Sequence, residues 1–262
     1  MGGFIWYELL TPDPDAAAQF YGAVVGWTIQ DGGEVPAGDI DYRHILRSDG
    51  GSNGGVLRLT DDMASHGAKP MWVPYLHVAE VDAAVAAIEA EGGRRLMPTT
   101  TIEVGSFAML RDPQGVPIYA MAPLPPPGKP EAKSDVFSVD QPQHVRWNEL
   151  ASPDLDASKA FYAKHFGFTF DNVMDMGPMG DYCFADVDGV TVGAVMQRAD
   201  PAQPAAWLLY FGVPSLIAAR EALLANGGTI HMDTHQVPGG DWIVVASDPQ
   251  GAAFGLVGPK GE

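Results

Sequence analysis

The chain has 262 residues, room for two domains of ordinary size or one large one. A formal charge of -18 with only 15 Lys and Arg excludes the clustered cations that nucleic-acid phosphates need, and no apolar run reaches membrane-spanning length. Hydrophobic residues, at 46%, suffice for a core in each half, and a single cysteine, Cys183, rules out an intrachain disulfide. The opening Met1-Gly2-Gly3-Phe4-Ile5-Trp6-Tyr7-Glu8 lacks the basic and then apolar pattern of a leader, so a reducing, cytoplasmic setting is expected.

Phe4 to Leu10, rich in aromatic and aliphatic residues, reads as a strand. Asp13 followed by Pro14 predicts a helix start, with Ala16 to Val25 as its body and Phe20 and Tyr21 as bulk to lay on a sheet. Short strands follow near 27–30, 42–47 and 55–59. The glycine-rich stretch from Gly50 to Gly55 reads as a turn, because no Lys-Ser/Thr pair follows and no helix opens there. The segment from Asp61 to Met71 reads as a loop. A strand at 72–78, a helix at 81–90 ending at Gly92-Gly93, and two strands around the Asp112-Pro113-Gln114-Gly115 turn complete the half.

The same order then recurs. Trp6-Tyr7-Glu8-Leu9 returns 141 positions later as Trp147-Asn148-Glu149-Leu150, and Phe20-Tyr21 returns as Phe161-Tyr162. The Asp112 turn returns 136 positions later as Asp248-Pro249-Gln250-Gly251. So many ordered matches make an internal repeat, which decides the architecture. Between the copies, Pro123-Leu124-Pro125-Pro126-Pro127-Gly128-Lys129-Pro130 reads as a semi-rigid linker. The expected domains are therefore 1–122 and 144–262, with residues 123–143 joining them.

This order, with its Phe-Tyr helix and Asp-Pro-Gln-Gly turn, resembles the vicinal-oxygen-chelate superfamily of glyoxalases, bleomycin-resistance proteins and dioxygenases. The resemblance covers residues 4–122 and 144–257, and the Trp-x-Glu-Leu openings look most like its tandem two-domain branch. It implies an α+β fold: two glyoxalase-like domains, each of two β-α-β-β-β units forming an open eight-stranded barrel around a cavity. Members include metal-dependent lyases, dioxygenases and metal-free binders, so function must come from the cavity residues.

Metal-dependent members hold a divalent ion with His, Glu or Gln on the first, fourth, fifth and eighth strands. Carried over, those positions are Trp6, Arg58, Val73 (with His77 nearby) and Tyr119, and in the second copy Trp147, Gln197, Leu208 and Gly255. Only Gln197 coordinates in an ordinary way, so no cofactor is expected. A divalent metal stays as an alternative, because a slip of one residue reverses a strand's face and brings in His44, His77, Glu8 or Glu149. The other histidines, His66, His144, His165, His231 and His235, read as surface residues.

Glu8 and Glu149 read in two ways. Each is a carboxylate satisfied by backbone amides or by an arginine such as Arg43, or a desolvated base or anchor beside the indole of Trp6 or Trp147. Tyr75, Tyr119 and Tyr210 suit a wall for a planar ligand, and suit core packing equally. Cys183 reads as a buried, inert thiol. The leading expectation is a binder of a small hydrophobic or aromatic molecule, with Glu8 and His77 as the reactive pair of the first copy. Around them stand Trp6, Arg58, Tyr75 and Tyr119, with Trp147, Glu149, Gln197 and Tyr210 completing the ligand-binding set. A metal-dependent lyase or dioxygenase and a non-catalytic structural protein are the alternatives. Neither a nucleic acid nor a membrane is an expected partner, and the oligomeric state is left open.

Overall fold

The computed structural model describes residues 2–31, 33–34, 40–129 and 132–261. Met1 and Pro130, on which the readings of the leader and linker partly fall, lie outside them.

The first repeat runs β1 (Phe4–Thr11), α1 (Pro14–Val24), β2 (Thr28–Ile29), β3 (Gly33–Glu34), β4 (Asp41–Leu46), β5 (Ser52–Arg58), α2 (Asp61–Ser65), β6 (Met71–His77), α3 (Val81–Ala90), β7 (Arg94–Arg95), β8 (Thr100–Ile102), β9 (Gly105–Arg111) and β10 (Pro117–Pro123). The second runs β11 (Val145–Ser152), α4 (Leu155–Phe166), β12 (Val173–Asp175), β13 (Asp181–Val187), β14 (Val190–Gln197), β15 (Trp207–Gly212), α5 (Leu216–Ala225), β16 (Thr229–Gln236), β17 (Trp242–Ser247) and β18 (Ala253–Gly258). Strand neighbours follow the order β2-β4-β5-β1-β6-β10-β9-β7 in one mixed sheet, with β3 on β4 and β8 on β9. In the other the order is β12-β13-β14-β11-β15-β18-β17-β16. Neither order returns to its first strand, so the barrels are open and the class is α+β. Among the described residues no helix is long and apolar enough to cross a membrane.

Local chemistry sets the boundaries. The Asp13 carboxylate accepts from the Ala16 amide at 2.9 Å and Pro14 opens α1, while Asp154 caps α4 through Ala157 at 3.0 Å. Two expectations need correction. Residues 61–65 are a helical turn and not loop, because the Thr60 hydroxyl accepts from the Met63 amide at 3.2 Å and two acidic residues occupy the first turn. The glycines expected in a turn, Gly54 and Gly55, lie inside β5. A Cβ on Gly54 would come to 2.0 Å of the Tyr7 carbonyl oxygen, so the absence of a side chain lets β1 and β5 pair.

The chain divides into two compact units, and each draws on both repeats. One unit comprises Met1–Ile5, Val73–Ser134 and Asn148–Trp207; the other comprises Trp6–Trp72, Asp135–Trp147 and Leu208–Glu262. In the first, Leu76, Ile88, Leu110, Ile118, Leu150, Phe166 and Phe168 are buried, and Glu91 at the end of α3 accepts from Lys164 of α4 at 2.6 Å. In the second, α1 packs on α5, and Tyr7, Leu9, Phe20, Ile45, Leu209, Phe211 and Phe254 are buried.

Each unit also contains the same buried relay. In one, the Trp207 indole donates to the Tyr162 hydroxyl at 3.0 Å, which donates to Asp112 Oδ2 at 3.2 Å. In the other, Trp72 donates to Tyr21 at 2.9 Å, and Tyr21 donates to Asp248 Oδ2 at 3.1 Å. The second carboxylate oxygen organises the repeated turn. Asp112 Oδ1 accepts from the amides of Gln114 and Val116, and Asp248 Oδ1 from those of Gln250 and Ala252, at 2.8–3.0 Å. Gly115 and Gly251, with φ of 89° and 95°, take the left-handed position these turns require. The Phe-Tyr pair, the matched tryptophans and the Asp-Pro-Gln-Gly turn are thus parts of one device.

Candidate functional site

Strand register divides the side chains of β1, β4 and β5 into two faces. Leu9, Val56 and Arg43 share one row, and Glu8, Gly55 and His44 share the next, so the two rows project to opposite faces. Arg43 lies on the helix side, where it donates to Asp15 of α1 at 2.6 Å and to Asp41 at 2.9 Å. It is therefore not the arginine that satisfies Glu8, an expectation that fails because the two residues occupy opposite faces of the sheet. The Arg43 guanidinium in turn holds the Asp41 carboxyl below its usual range.

The face away from α1 carries a polar and aromatic cluster. Trp6 donates its indole N–H to the Tyr42 hydroxyl at 2.8 Å. The Tyr42 phenol lies over Gly55, where a Cβ would meet its oxygen at 2.1 Å. Glu8 is buried, 2% exposed, while Trp6 and Tyr42 are half-buried. Burial first, and then the Glu8 charge, push the Tyr42 hydroxyl far above the ordinary phenol range, so Tyr42 stays protonated. His44, which is exposed, meets the Trp6 ring edge-on at 5.9 Å and the Tyr42 ring at 5.7 Å.

Tyr42 was absent from the sequence reading, and so was its counterpart Tyr182. In the second repeat the Tyr182 hydroxyl donates to Glu149 Oε2 at 2.7 Å, and Phe184 meets the Tyr182 ring edge-on at 5.6 Å. Glu149 and Trp147 are half-buried. The available signal was positional: Tyr42 and Tyr182 occupy equivalent places in β4 and β13, two residues from His44 and Phe184.

The remaining expected residues fall elsewhere. Tyr75 and Tyr119 are both buried and stacked, with centroids 4.0 Å apart and planes 13° apart, and Phe107 borders them at 5.9 and 6.0 Å. His77 is half-buried in the same unit as this pair, whereas Glu8 belongs to the other unit. Desolvation lowers the His77 pKa, which favours the neutral ring. Arg58 is exposed at the end of β5. Gln197, also exposed, accepts from the Leu155 amide at 3.1 Å and donates to the Pro153 carbonyl at 2.8 Å, fastening the entry to α4. Tyr210 is buried against Gly255, where a Cβ would come to 2.2 Å of its ring. Cys183 is fully buried, and burial raises its thiol pKa. His144 is buried rather than superficial, its Nδ1 3.0 Å from the Pro142 carbonyl.

A family model matches both repeats, over residues 3–119 and 141–256, under the description Glyoxalase/Bleomycin resistance protein/Dioxygenase superfamily. The chain belongs to that superfamily. Similar chains include CFP32 of Mycobacterium tuberculosis, provisionally named a glyoxylase, 29% identical over 97% of this chain and 94% of its own. The anthracycline biosynthesis protein DnrV of Streptomyces peucetius is 27% identical over 98% of this chain and 93% of its own. Among solved structures, the Mn(II)-bound glyoxalase of Novosphingobium aromaticivorans aligns with a TM-score of 0.61 at 17% identity, covering 99% of this chain and 82% of that one. The 2,2',3-trihydroxybiphenyl 1,2-dioxygenase of Sphingomonas wittichii aligns with a TM-score of 0.63 at 13% identity, covering 98% and 90%. At these identities the structures share the fold.

Several members of the superfamily hold a divalent ion, so the donor set matters. Among the described residues no three His, Cys, Asp or Glu side chains converge as a metal-holding group. The cluster on β1 and β4 offers one carboxylate and one imidazole. Its other members are the Tyr42 phenol, whose raised pKa keeps it protonated, and the Trp6 indole, which has no free lone pair and whose N–H is directed at Tyr42. This set does not fit a resident divalent ion, which takes several oxygen or imidazole ligands.

Proposed function

We propose that this protein is a cytoplasmic binder of small planar aromatic molecules, and that the first repeat holds them with Trp6, Tyr42 and Glu8. The observation that carries the reading is the indole–phenol hydrogen bond of 2.8 Å beside a buried carboxylate. It fixes two aromatic rings in place before a ligand arrives, which lowers the ordering cost of binding. Such rings offer stacking and edge contacts to a planar molecule, and the carboxylate anchors a hydroxyl or amine. The names of DnrV and of DauV, from Streptomyces sp., give support, since anthracyclines are fused-ring aromatic compounds with several hydroxyl groups.

The test is equilibrium dialysis of the full-length protein against 2-naphthol, with Trp6→Ala and Glu8→Gln as variants. Saturable binding that weakens about tenfold or more in Trp6→Ala supports the reading. An absence of saturable binding by the wild type refutes it. A second reading, a metal-dependent lyase or dioxygenase, draws on the Mn(II)-bound glyoxalase neighbour. It expects stoichiometric transition metal in tag-free protein, measured by elemental analysis.

A further inference from the structure

The two repeats carry equivalent clusters that differ in side-chain chemistry. Across β1, β5 and β4 the row reads Glu8, Gly55, His44; across β11, β14 and β13 it reads Glu149, Ala194, Phe184. A phenyl ring therefore stands in the second repeat where the first has an imidazole. The Tyr182 hydroxyl donates to Glu149, and the Tyr42 oxygen accepts from Trp6.

His44 is the exposed member of the first cluster, and Phe184 is half-buried in the second. Among the described residues the His44 imidazole meets its neighbours through ring contacts, at 5.9 Å to Trp6 and 5.7 Å to Tyr42. Both separations are in the range of edge-to-face packing, which holds the ring in place while leaving its nitrogens for another partner. A neutral imidazole offers one donor and one acceptor, the complement of a hydroxyl group, which is itself both. Phenyl offers neither.

We propose that His44 is a specificity-determining residue, recognising a hydroxyl on a planar aromatic ligand held at the first repeat, and that the second repeat takes no such ligand. The ligand class is then phenols and hydroxylated fused-ring aromatics rather than plain hydrocarbons. This inference rests on the aromatic-binding reading above.

The experiment measures the affinity of the full-length protein for 2-naphthol and for naphthalene, and reads the ratio. Both share one ring system, so the ratio isolates the hydroxyl. His44→Phe, which copies the second repeat, is expected to reduce the ratio about five- to tenfold, the weight of one neutral hydrogen bond. His44→Gln keeps a donor and an acceptor and should retain most of the preference. An unchanged ratio in His44→Phe, with melting temperature and binding intact, overturns the role of His44. Two equivalents of 2-naphthol bound by the wild type overturn the assignment to one repeat. Failure of the wild type to bind either compound removes the binding reading itself, and the role of His44 with it.

Discussion

Tyr162→Phe is the substitution whose cost the structure defines most closely. The hydroxyl it deletes accepts from the Trp207 indole at 3.0 Å and donates to Asp112 Oδ2 at 3.2 Å, and all three residues are buried. Phenylalanine fills the same ring volume, so no large cavity adds to the effect. What changes is that the indole N–H loses its acceptor and the carboxylate loses a donor. Each buried group left without its partner costs about 1–3 kcal/mol, so the two together give an expected loss of about 2–6 kcal/mol. Asp112 keeps its two amide donors through Oδ1, which places the loss toward the lower end. Urea unfolding followed by tryptophan fluorescence gives the number, with an unchanged slope confirming that the native and unfolded states are otherwise alike. Tyr21→Phe should lose a similar amount, because Trp72 and Asp248 bond that hydroxyl at nearly the same distances. A loss below about 0.5 kcal/mol for both, the range of an ordinary surface change, refutes the relay as a source of stability.

Burial raises the carboxyl pKa of both Asp112 and Asp248. The folded chain therefore holds these protons to higher pH than the unfolded chain, whose value is about 3.9. Stability from these groups is fully present below that value and declines as pH rises through their elevated folded values. Asp112→Asn and Asp248→Asn should flatten that slope relative to wild type in urea unfolding across acidic pH; an identical slope counts against it. Gly54→Ala should destabilise more than Gly55→Ala. The first forces a Cβ to 2.0 Å of backbone oxygen, and the second meets the end of a tyrosine side chain at 2.1 Å, which swings aside more readily. Thermal melts of the pair check the order. Cys183, buried and with a raised thiol pKa, should react with a thiol reagent such as DTNB only as fast as the protein opens, tracking denaturant. Rapid reaction of the native protein contradicts that burial.

The parts of the fold that were legible in sequence are those with local causes. Asp13-Pro14 announces α1, and the Asp-Pro-Gln-Gly turn announces itself twice, because cap and turn chemistry act over a few residues. The α2 turn escaped notice because its cap, Thr60, sits in a polar stretch that reads equally well as loop. Gly54 and Gly55 misled because glycine marks both turns and close strand approach, and only the position of Tyr7 and Tyr42 separates the two. The cluster was half legible. Trp6 and Glu8 stand out by repetition, but Tyr42 reaches Trp6 from 36 positions away through a register that no local pattern fixes. The choice of Arg43 as a partner for Glu8 failed on the same ground, since one step along β4 exchanges the face toward α1 for the other.

The interleaving of the repeats bears on how the chain is made. A ribosome delivers the first repeat whole, yet neither compact core is then complete, since each needs a segment from the second repeat. The unit ending at Trp207 has all its parts first, and the other must wait for Asp248, 227 positions after the Tyr21 it joins. At about 5–20 residues per second, the nascent aromatic surface around Tyr21 stays unmet for some ten seconds or more. Truncated products of this gene would accordingly be clients for chaperones and proteases rather than working half-molecules.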